Sequence, residues 1–504
     1  MSSRKIVLVA ASAFASVAWG EVRLATPFAD GMVLQRDREV AVWGTADAGE
    51  GVKVMFAGNE VTATADAQGR WKVMLPAMPA SSEGRILTAV SQTTQIPQTV
   101  EDVLVGEVWF ACGQSNTEMP LVGGNPHFSD RQGRLVAQMA NQPLIRYAYA
   151  SNYKWSTVPK ATADYTVTWR KFLPENLGKE PSFSAMGVYF ALELHAALGI
   201  PVGIVGSYWG GTNIDAWTPR EGYAGHEEVL KETIEFPVAD HEAWTAEMKK
   251  GPISGGNQQP CVLWNEMVSP WCPMSMRGFI WYQGCHNGGE SELYCEKMHA
   301  LYDGWSKRFE NPELKLYFVQ LAPFERSWWG LQLAQAKFAV EEPNAGMVTT
   351  VDIGNGADIH PSEKGTIGKR LAALALKNDY GFPLTAEAPV LKGICSEEGQ
   401  LILSFANANG WFVYDPAWDV CRGFEIAGTD GEWKPAFLVN CDGGATKKVA
   451  WKTRGNVKGR DLILAAEGVE KPMKVRYLYQ RPWVGTLFAD SGLPLGPFEA
   501  EVGK

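Results

Sequence analysis

Between about residues 101 and 381, apolar runs of strand length alternate with longer runs at helical spacing, and this alternation constrains the chain more than any other feature. Strand, helix and strand in repetition call for a parallel sheet with helices on both faces. The stretch "FSAMGVYFALELHAALG" (183–199) reads as a helix that stops at Gly199, before Pro201 and the strand-like run "VGIVGSY". Farther on, Met298, Leu301, Trp305 and Phe309 recur at helical spacing within 290–309, followed by the strand-like "LKLYFVQLA". A further strand is expected at "MVTTVDIG", then a helix over 361–380 closed by Gly381 and Pro383. Only 117–181 carries no clear period, and loops are expected there.

Both flanks have a different texture. Over 22–98 short runs such as "EVAVWG", "GVKVMF" and "RWKVMLP" are divided by the turn signals "ADAGEG", "AGN" and "DAQG", the spacing of a small antiparallel sandwich. After about Thr385 the β-texture returns in "GQLILSF", "GWFVYD", "DLILAA" and "KVRYLYQ". A chain of 504 residues is too long for one ordinary core. The expected division is a leader at 1–20, an N-terminal β-sandwich at 21–101, an α/β domain at 102–384 and a C-terminal β domain at 385–504. The leader reading rests on Arg4 and Lys5 before an apolar run from Ile6 to Ala18, with Gly20 as a small residue for cleavage. It implies a secreted or periplasmic protein, and no later stretch is long and apolar enough to span a membrane.

A formal charge of -10 and the lack of a basic run argue against a nucleic-acid partner. Twenty Trp offer faces that stack on sugars and equally fill cores. Eight Cys are irregularly spaced, and no Cys-x-x-Cys or His-Glu-x-x-His pattern points to a metal. Of the possible disulfides, only Cys421 with Cys441 suggests a pairing across strands.

In a doubly wound sheet, ligands bind beyond the carboxyl ends of the strands. Several polar residues follow apolar runs directly: Ser115 in "WFACGQSN", Gly210 and Gly211 after "VGIVGSYW", Gln283 and Asn287 after "RGFIWY", and Asp358 and His360 after "VTTVDIG". This set suits acyl transfer. A serine needs a base to take its proton, and a histidine can return that proton to a leaving alcohol. A glycine-turn N–H and a side-chain amide can stabilise the oxyanion at roughly 3 kcal/mol per donor. Each also has a plainer role: Ser115 as a turn or cap, the glycine pair as a tight turn, the amides as loop braces, and His360 as the N-cap before Pro361. His286 is the rival base, whereas His195 and His299 lie within helical runs and read as structural. The Gly-x-Ser-x-Gly elbow is missing because position 117 is Thr, which weakens a lipase-like reading.

Taken together, "FADGMVLQRDREVAVWGTA", "GEVWFACGQSNTEMPL", "FSAMGVYFALELHAALGIPVGIVGSYWGGTNIDAWTP", "MRGFIWYQG" and "DIHPSEKGTIGKRLAALAL" resemble the sialate O-acetylesterase family of the SGNH-hydrolase superfamily. The resemblance covers nearly all of the chain after the leader. It implies an α/β fold with an SGNH-hydrolase-like, doubly wound parallel sheet between all-β, sandwich-like domains. Ser115 would be the nucleophile and His360 the base, with oxyanion donors at Ser115, Gly210 or Gly211, and Gln283. The wider superfamily places its acid three residues before the histidine, where this chain has Ala357. Asp358 could serve instead, or Asp352, or the site is a Ser–His dyad. Gln114, Asn116, Glu118, Asn287 and His286 are candidates for lining the pocket, and Arg277 or Arg131 for meeting a substrate carboxylate. Where the family commonly has Glu and Ser after "WYQG", this chain has Cys285 and His286, so the pocket rim differs. No metal or organic cofactor is implied. The resulting expectation is a serine esterase removing acetyl groups from sugars, most of all an O-acetylated sialic acid. The alternatives are another acetylated glycan such as xylan, and a non-catalytic carbohydrate-binding protein.

Overall fold

The computed structural model describes residues 21–503 except 231–255, 415–422, 441–455, 481–483 and the single positions 124, 126, 139, 151, 152, 164, 180, 181, 327, 355 and 458. The expected leader (1–20) and the Cys421–Cys441 pairing lie outside these residues. Among the described residues no cysteine is disulfide-bonded and no helix is long and apolar enough to cross a membrane.

The central sheet contains β1 (Pro97–Gly113), β2 (Gln142–Tyr149), β3 (Arg170–Phe172), β4 (Val202–Tyr208), β5 (Gly278–Tyr282), β6 (Lys315–Val319) and β7 (Ala345–Val348), in the order β3-β2-β4-β1-β5-β6-β7. Every pairing is parallel except that of the edge strand β3 with β2. The four main helices are α1 (Ala185–Leu198), α2 (Ser291–Arg308), α3 (Trp329–Glu341) and α4 (Lys364–Asn378). Successive side chains on a strand point to opposite faces, so neighbours on β1 report what covers each face. Trp109 packs edge-on to Phe190 of α1, with centroids 5.1 Å apart, whereas Phe110 meets Trp305 of α2 at 6.1 Å. Helices therefore cover both faces, as the alternating pattern requires. α1 pairs with α4, and α2 with α3.

Local chemistry sets the helix ends. Ser184 caps α1 by accepting the Gly187 N–H at 3.2 Å, and Gly199 closes it with φ +67°. The "MVTTVDIG" strand is shorter than expected and shifted toward the N-terminus. The Thr349 and Thr350 hydroxyls turn to Gln320, each at 2.7 Å, and the backbone leaves the ladder after Val348. Helix α4 starts at Lys364 with Glu363 as its N-cap residue, so His360 lies outside the helix and is not its cap.

The two β-rich flanks join the centre differently. β1 is 17 residues long: its first half pairs with Ser81–Ser91 and Val33–Gln35, and its second half with β4 and β5. The strand thus runs unbroken through position 101. One hydrophobic core extends from Val22 through the central sheet to Ala386, whereas Leu401 to Leu495 build a core of their own. The N-terminal strands show the two-residue alternation of a half-buried sheet, most clearly in Arg70–Leu75. Much of the tryptophan content is structural, with Trp109, Trp217, Trp264, Trp271, Trp281 and Trp305 fully buried.

Candidate active site

β1 ends at Gly113 for a steric reason. The residue has φ +137°, and a Cβ there would lie 2.3 Å from the Tyr282 carbonyl oxygen at the end of β5. Gln114 then adds its backbone N–H to Tyr282 O at 3.1 Å, and its side-chain oxygen accepts the Gly284 N–H at 3.0 Å. Gln114 is thus a buried stitch between strand ends. The chain enters a single helical turn, Ser115–Glu118, pinned by Thr117 Oγ1 donating to Cys112 O at 3.0 Å. This turn presents Ser115 at the carboxyl end of the strand from which the sheet is built out in both directions, the place where doubly wound sheets bind ligands.

His360 reaches the same point from the loop between β7 and α4. Its Nε2 is 2.7 Å from Ser115 Oγ, a hydrogen bond across 245 positions of sequence. The ring is half-buried, with its edge or face toward Phe128 at a centroid distance of 5.1 Å. Asn116 fixes the loop from the other side, its Nδ2 donating to Ile359 O at 3.0 Å. Burial and then the Lys364 charge lower the His360 pKa from its ordinary value, and the Asp358 charge opposes them only in part. The imidazole therefore stays neutral, and basic, below the usual histidine range.

Asp358 holds the histidine by its backbone: Oδ1 accepts the His360 N–H at 2.8 Å but lies 4.0 Å from Nδ1, too far for a hydrogen bond. Asp352 is fully engaged elsewhere, in a two-pronged pair with Arg370 at 2.6 and 2.8 Å. Neither acid is hydrogen-bonded to the imidazole in this geometry.

Lys364, which carries no role in the sequence reading, lies buried beneath the site. Its ammonium donates to Asn116 Oδ1 at 2.5 Å and sits 5.1 Å from the Tyr282 ring centre, while its backbone N–H donates to Asp130. Burial pushes the ammonium down to about 7, against the opposing charges of Asp130 and Asp358. A signal existed in the sequence. A lysine in the first turn of a helix faces the positive end of the helix dipole, and such a position needs a compensating reason.

The expected oxyanion donors divide into two groups. The Gly210 N–H donates to Glu118 Oε2 at 2.7 Å, and Glu118 Oε1 accepts from Tyr153 Oη at 2.8 Å. Gln283 is fully buried: its Nε2 donates to Thr212 O at 3.0 Å and to Asn287 Oδ1 at 2.7 Å, and its Oε1 accepts from Tyr294 Oη. In this geometry these two donors are already engaged by protein acceptors. The N–H groups of Ser115 and Gly211 have no acceptor among the described residues. Gly210 instead supplies room, because a Cβ there would come within 3.2 Å of Ser115 Cβ. Asn287 accepts from Ile214 N and donates to Glu290, bracing the loop after β5. His286 is exposed on the short turn Cys285–Asn287, and the hydrogen bond to Ser115 belongs to His360.

The two arginines also separate. Arg277 precedes β5 and therefore sits at its amino end, paired with Glu107 at 3.2 Å; it is on the wrong side of the sheet to meet a ligand at Ser115. Arg131 lies beside the His360 loop, its backbone N–H donating to Ser362 O at 2.9 Å and its exposed guanidinium 3.1 Å from Glu363.

Residues 256–377 match the family described as carbohydrate esterase, sialic acid-specific acetylesterase. Over 415 residues the chain is 27% identical to sialate O-acetylesterase of Rattus norvegicus, covering 72% of this chain and 74% of that protein. The Homo sapiens sialate O-acetylesterase is 26% identical over 76% of each. Among solved structures, a carbohydrate acetylesterase from Xanthomonas citri superposes with a TM-score of 0.79 at 31% identity, covering 95% of this chain and all of that one.

Proposed function

The chain belongs to the sialate O-acetylesterase family of carbohydrate esterases, and from that premise we propose that Ser115 and His360 hydrolyse O-acetyl esters of sugars through an acetyl-enzyme. The observation that carries the residue assignment is the 2.7 Å contact between Ser115 Oγ and His360 Nε2 at the carboxyl end of β1. As Ser115 Oγ attacks the acetyl carbonyl, His360 Nε2 takes its proton. The tetrahedral oxyanion is met by the N–H groups of Ser115 and Gly211, each such donor contributing about 3 kcal/mol. On collapse, His360 gives the proton to the departing sugar hydroxyl. Water then attacks the acetyl carbonyl as His360 takes its proton, and that proton passes to Ser115 Oγ as acetate leaves. The pair works as a dyad, with Asp358 acting through its charge and through the backbone of its neighbour.

The preferred substrate is an O-acetylated sialic acid. Support comes from the relatives named above and from Arg131, a cation beside the His360 loop that suits a sugar carboxylate. The basic and apolar pattern of 1–20 supports export, with Glu21 as the first residue of the mature chain. Mass measurement of the exported protein would test that start.

Acetate release from O-acetylated sialic acid and from acetylated xylan, by wild type and Ser115→Ala, tests the whole reading. Wild-type turnover favouring the sialic acid and abolished in the variant is expected. Xylan as the clearly better substrate would overturn the sialate preference, and full activity in Ser115→Ala would overturn the mechanism.

A further inference from the structure

Away from Ser115, three side chains of different chemistry converge between α2 and α3. Cys295 and His299 are four apart on α2 and so share one face of the helix, and Glu341 is the last residue of α3, which packs beside it. Glu341 Oε2 lies 3.3 Å from Cys295 Sγ and 3.2 Å from His299 Nε2, and the three atoms lie within 4.8 Å of one another.

We infer that Cys295, His299 and Glu341 bind a divalent ion of borderline softness, zinc foremost, with water completing the coordination. A tetrahedral zinc ion with ligand bonds of about 2.0–2.3 Å separates its ligand atoms by roughly 3.3–3.7 Å. The two short contacts in the trio are already near those spacings, so the site needs only a small adjustment. One thiolate, one neutral imidazole and one carboxylate cancel the ion's double charge. The mixture of soft and hard donors suits zinc over magnesium or calcium, which prefer oxygen alone.

The surroundings hold the ligands in place. The His299 ring stacks on His226 with an interplanar angle of 7° and meets Phe338 at 4.8 Å, so packing fixes its direction. His226 is itself clamped by Glu296 and Asp303. Lys337 approaches Glu341 Oε1 at 3.6 Å, which leaves Oε2 to face the sulfur and the imidazole. Supporting contacts of this kind orient metal ligands. Cys295 is buried and Glu341 exposed, giving an ion a route in from solvent. On binding, the thiol releases its proton to water.

The ion would fasten α2 to α3. Tyr294 of α2 and Gln335 of α3 both bond to Gln283, so the clamp would stiffen the braces behind the loop after β5 without touching the reacting atoms.

The test uses full-length protein stripped with a chelator and titrated with zinc chloride by calorimetry, and separately with cobalt(II) to read the thiolate-to-metal absorption band. One ion per chain is expected, with a rise in melting temperature. Cys295→Ser should abolish the cobalt band, and Glu341→Gln, an exposed and isosteric change that leaves the fold alone, should weaken zinc roughly 10-fold or more. Esterase activity of the stripped wild type and of Cys295→Ser should stay near that of the untreated enzyme. Failure of the folded wild type to bind either ion would overturn the inference. So would a cobalt band that persists in Cys295→Ser, or zinc affinity that is unchanged in Glu341→Gln.

Discussion

The single strand β1 carries two clusters of charged and polar groups, and they are built on opposite principles. In its middle, Glu107 is fully buried and wholly satisfied. It receives Arg36 at 2.6 Å, Arg277 at 3.2 Å to each oxygen, and Gln35 at 3.0 Å. Burial works to raise its pKa, but the hydrogen bonds and charges of Arg277 and Arg36 outweigh it and hold the carboxyl below its ordinary range. Just beyond the end of the same strand, Ser115 and His360 make one contact, and the nearest acid stands 4.0 Å from the free ring nitrogen. A closed ionic cluster joins strands. A site that must form and break bonds keeps donors uncommitted and a base whose charge state can change. The difference is one of completeness, not of residue type, and substitution at either end should reveal it.

The largest effect is expected at the open end. Ser115→Ala should cost at least about 10⁴-fold in kcat/KM with the melting temperature nearly unchanged, because in the proposed mechanism the hydroxyl makes the bond, and it supports little else. At the closed end the balance should reverse. Glu107→Ala leaves two arginines facing each other without a counter-charge, so a loss of about 3–5 kcal/mol in unfolding free energy is expected, with kcat of the folded fraction retained. Urea titration beside acetate assays separates the two outcomes. A stable Glu107→Ala protein would show that the closed cluster is dispensable. Since folding depresses the Glu107 pKa, its contribution is full above the unfolded carboxyl value of about 4.5 and disappears as pH falls through the folded value.

Gly210→Ala comes next. Its Cβ would press within 3.2 Å of Ser115 Cβ and 3.1 Å of Glu118 Oε2, both side-chain atoms that can shift slightly. A fall of roughly 10–100-fold in kcat/KM is expected from sub-ångström displacement of the proposed nucleophile, with little change in stability. Wild-type rates in this variant would mean that the Ser115 and Glu118 side chains absorb the added methyl without moving the hydroxyl.

How far the sequence revealed these two ends follows from what each argument could reach. Strand ends and helix caps are local, so Ser115, Gly199 and the segment holding His360 stood out. Commitment of a donor is not local. The type of Gln283 suggests a donor, but nothing in "WYQG" shows that Thr212, Asn287 and Tyr294 already occupy its amide. The engagement of the Gly210 N–H by Glu118 is equally non-local. Arg277 is a different case, because a residue just before a strand lies at its amino end, opposite the ligand rim, and the sequence order already said so. The β-texture of 21–101 was legible, but its sharing of one strand and one core with the catalytic sheet was not, since a strand of 17 residues carries no mark of where one set of partners replaces another.

The smallest effect sharpens the comparison most. If the open end really lacks a hydrogen-bonded acid, Asp358→Asn should lower kcat by less than about tenfold, far less than the roughly 10⁴-fold lost where an aspartate fixes the histidine tautomer. It should also move the acid limb of kcat/KM, which reports the free enzyme's base. Wild type should hold half its activity below pH 6.5, because burial and the Lys364 charge lower the His360 pKa. Asp358 opposes that shift, so its neutralisation should carry the limb to still lower pH. Lys364→Met removes the repelling charge, which is present at these pH values, and should carry the limb upward. Opposite movements in the two variants would place Asp358 and Lys364 on either side of one titrating imidazole. A limb that rises in Asp358→Asn would overturn the assignment of its charge as one that supports the imidazolium, and a 10³-fold loss of kcat would mean that the 4.0 Å gap closes during turnover and that the reactive end is as fully bonded, at that moment, as the cluster around Glu107.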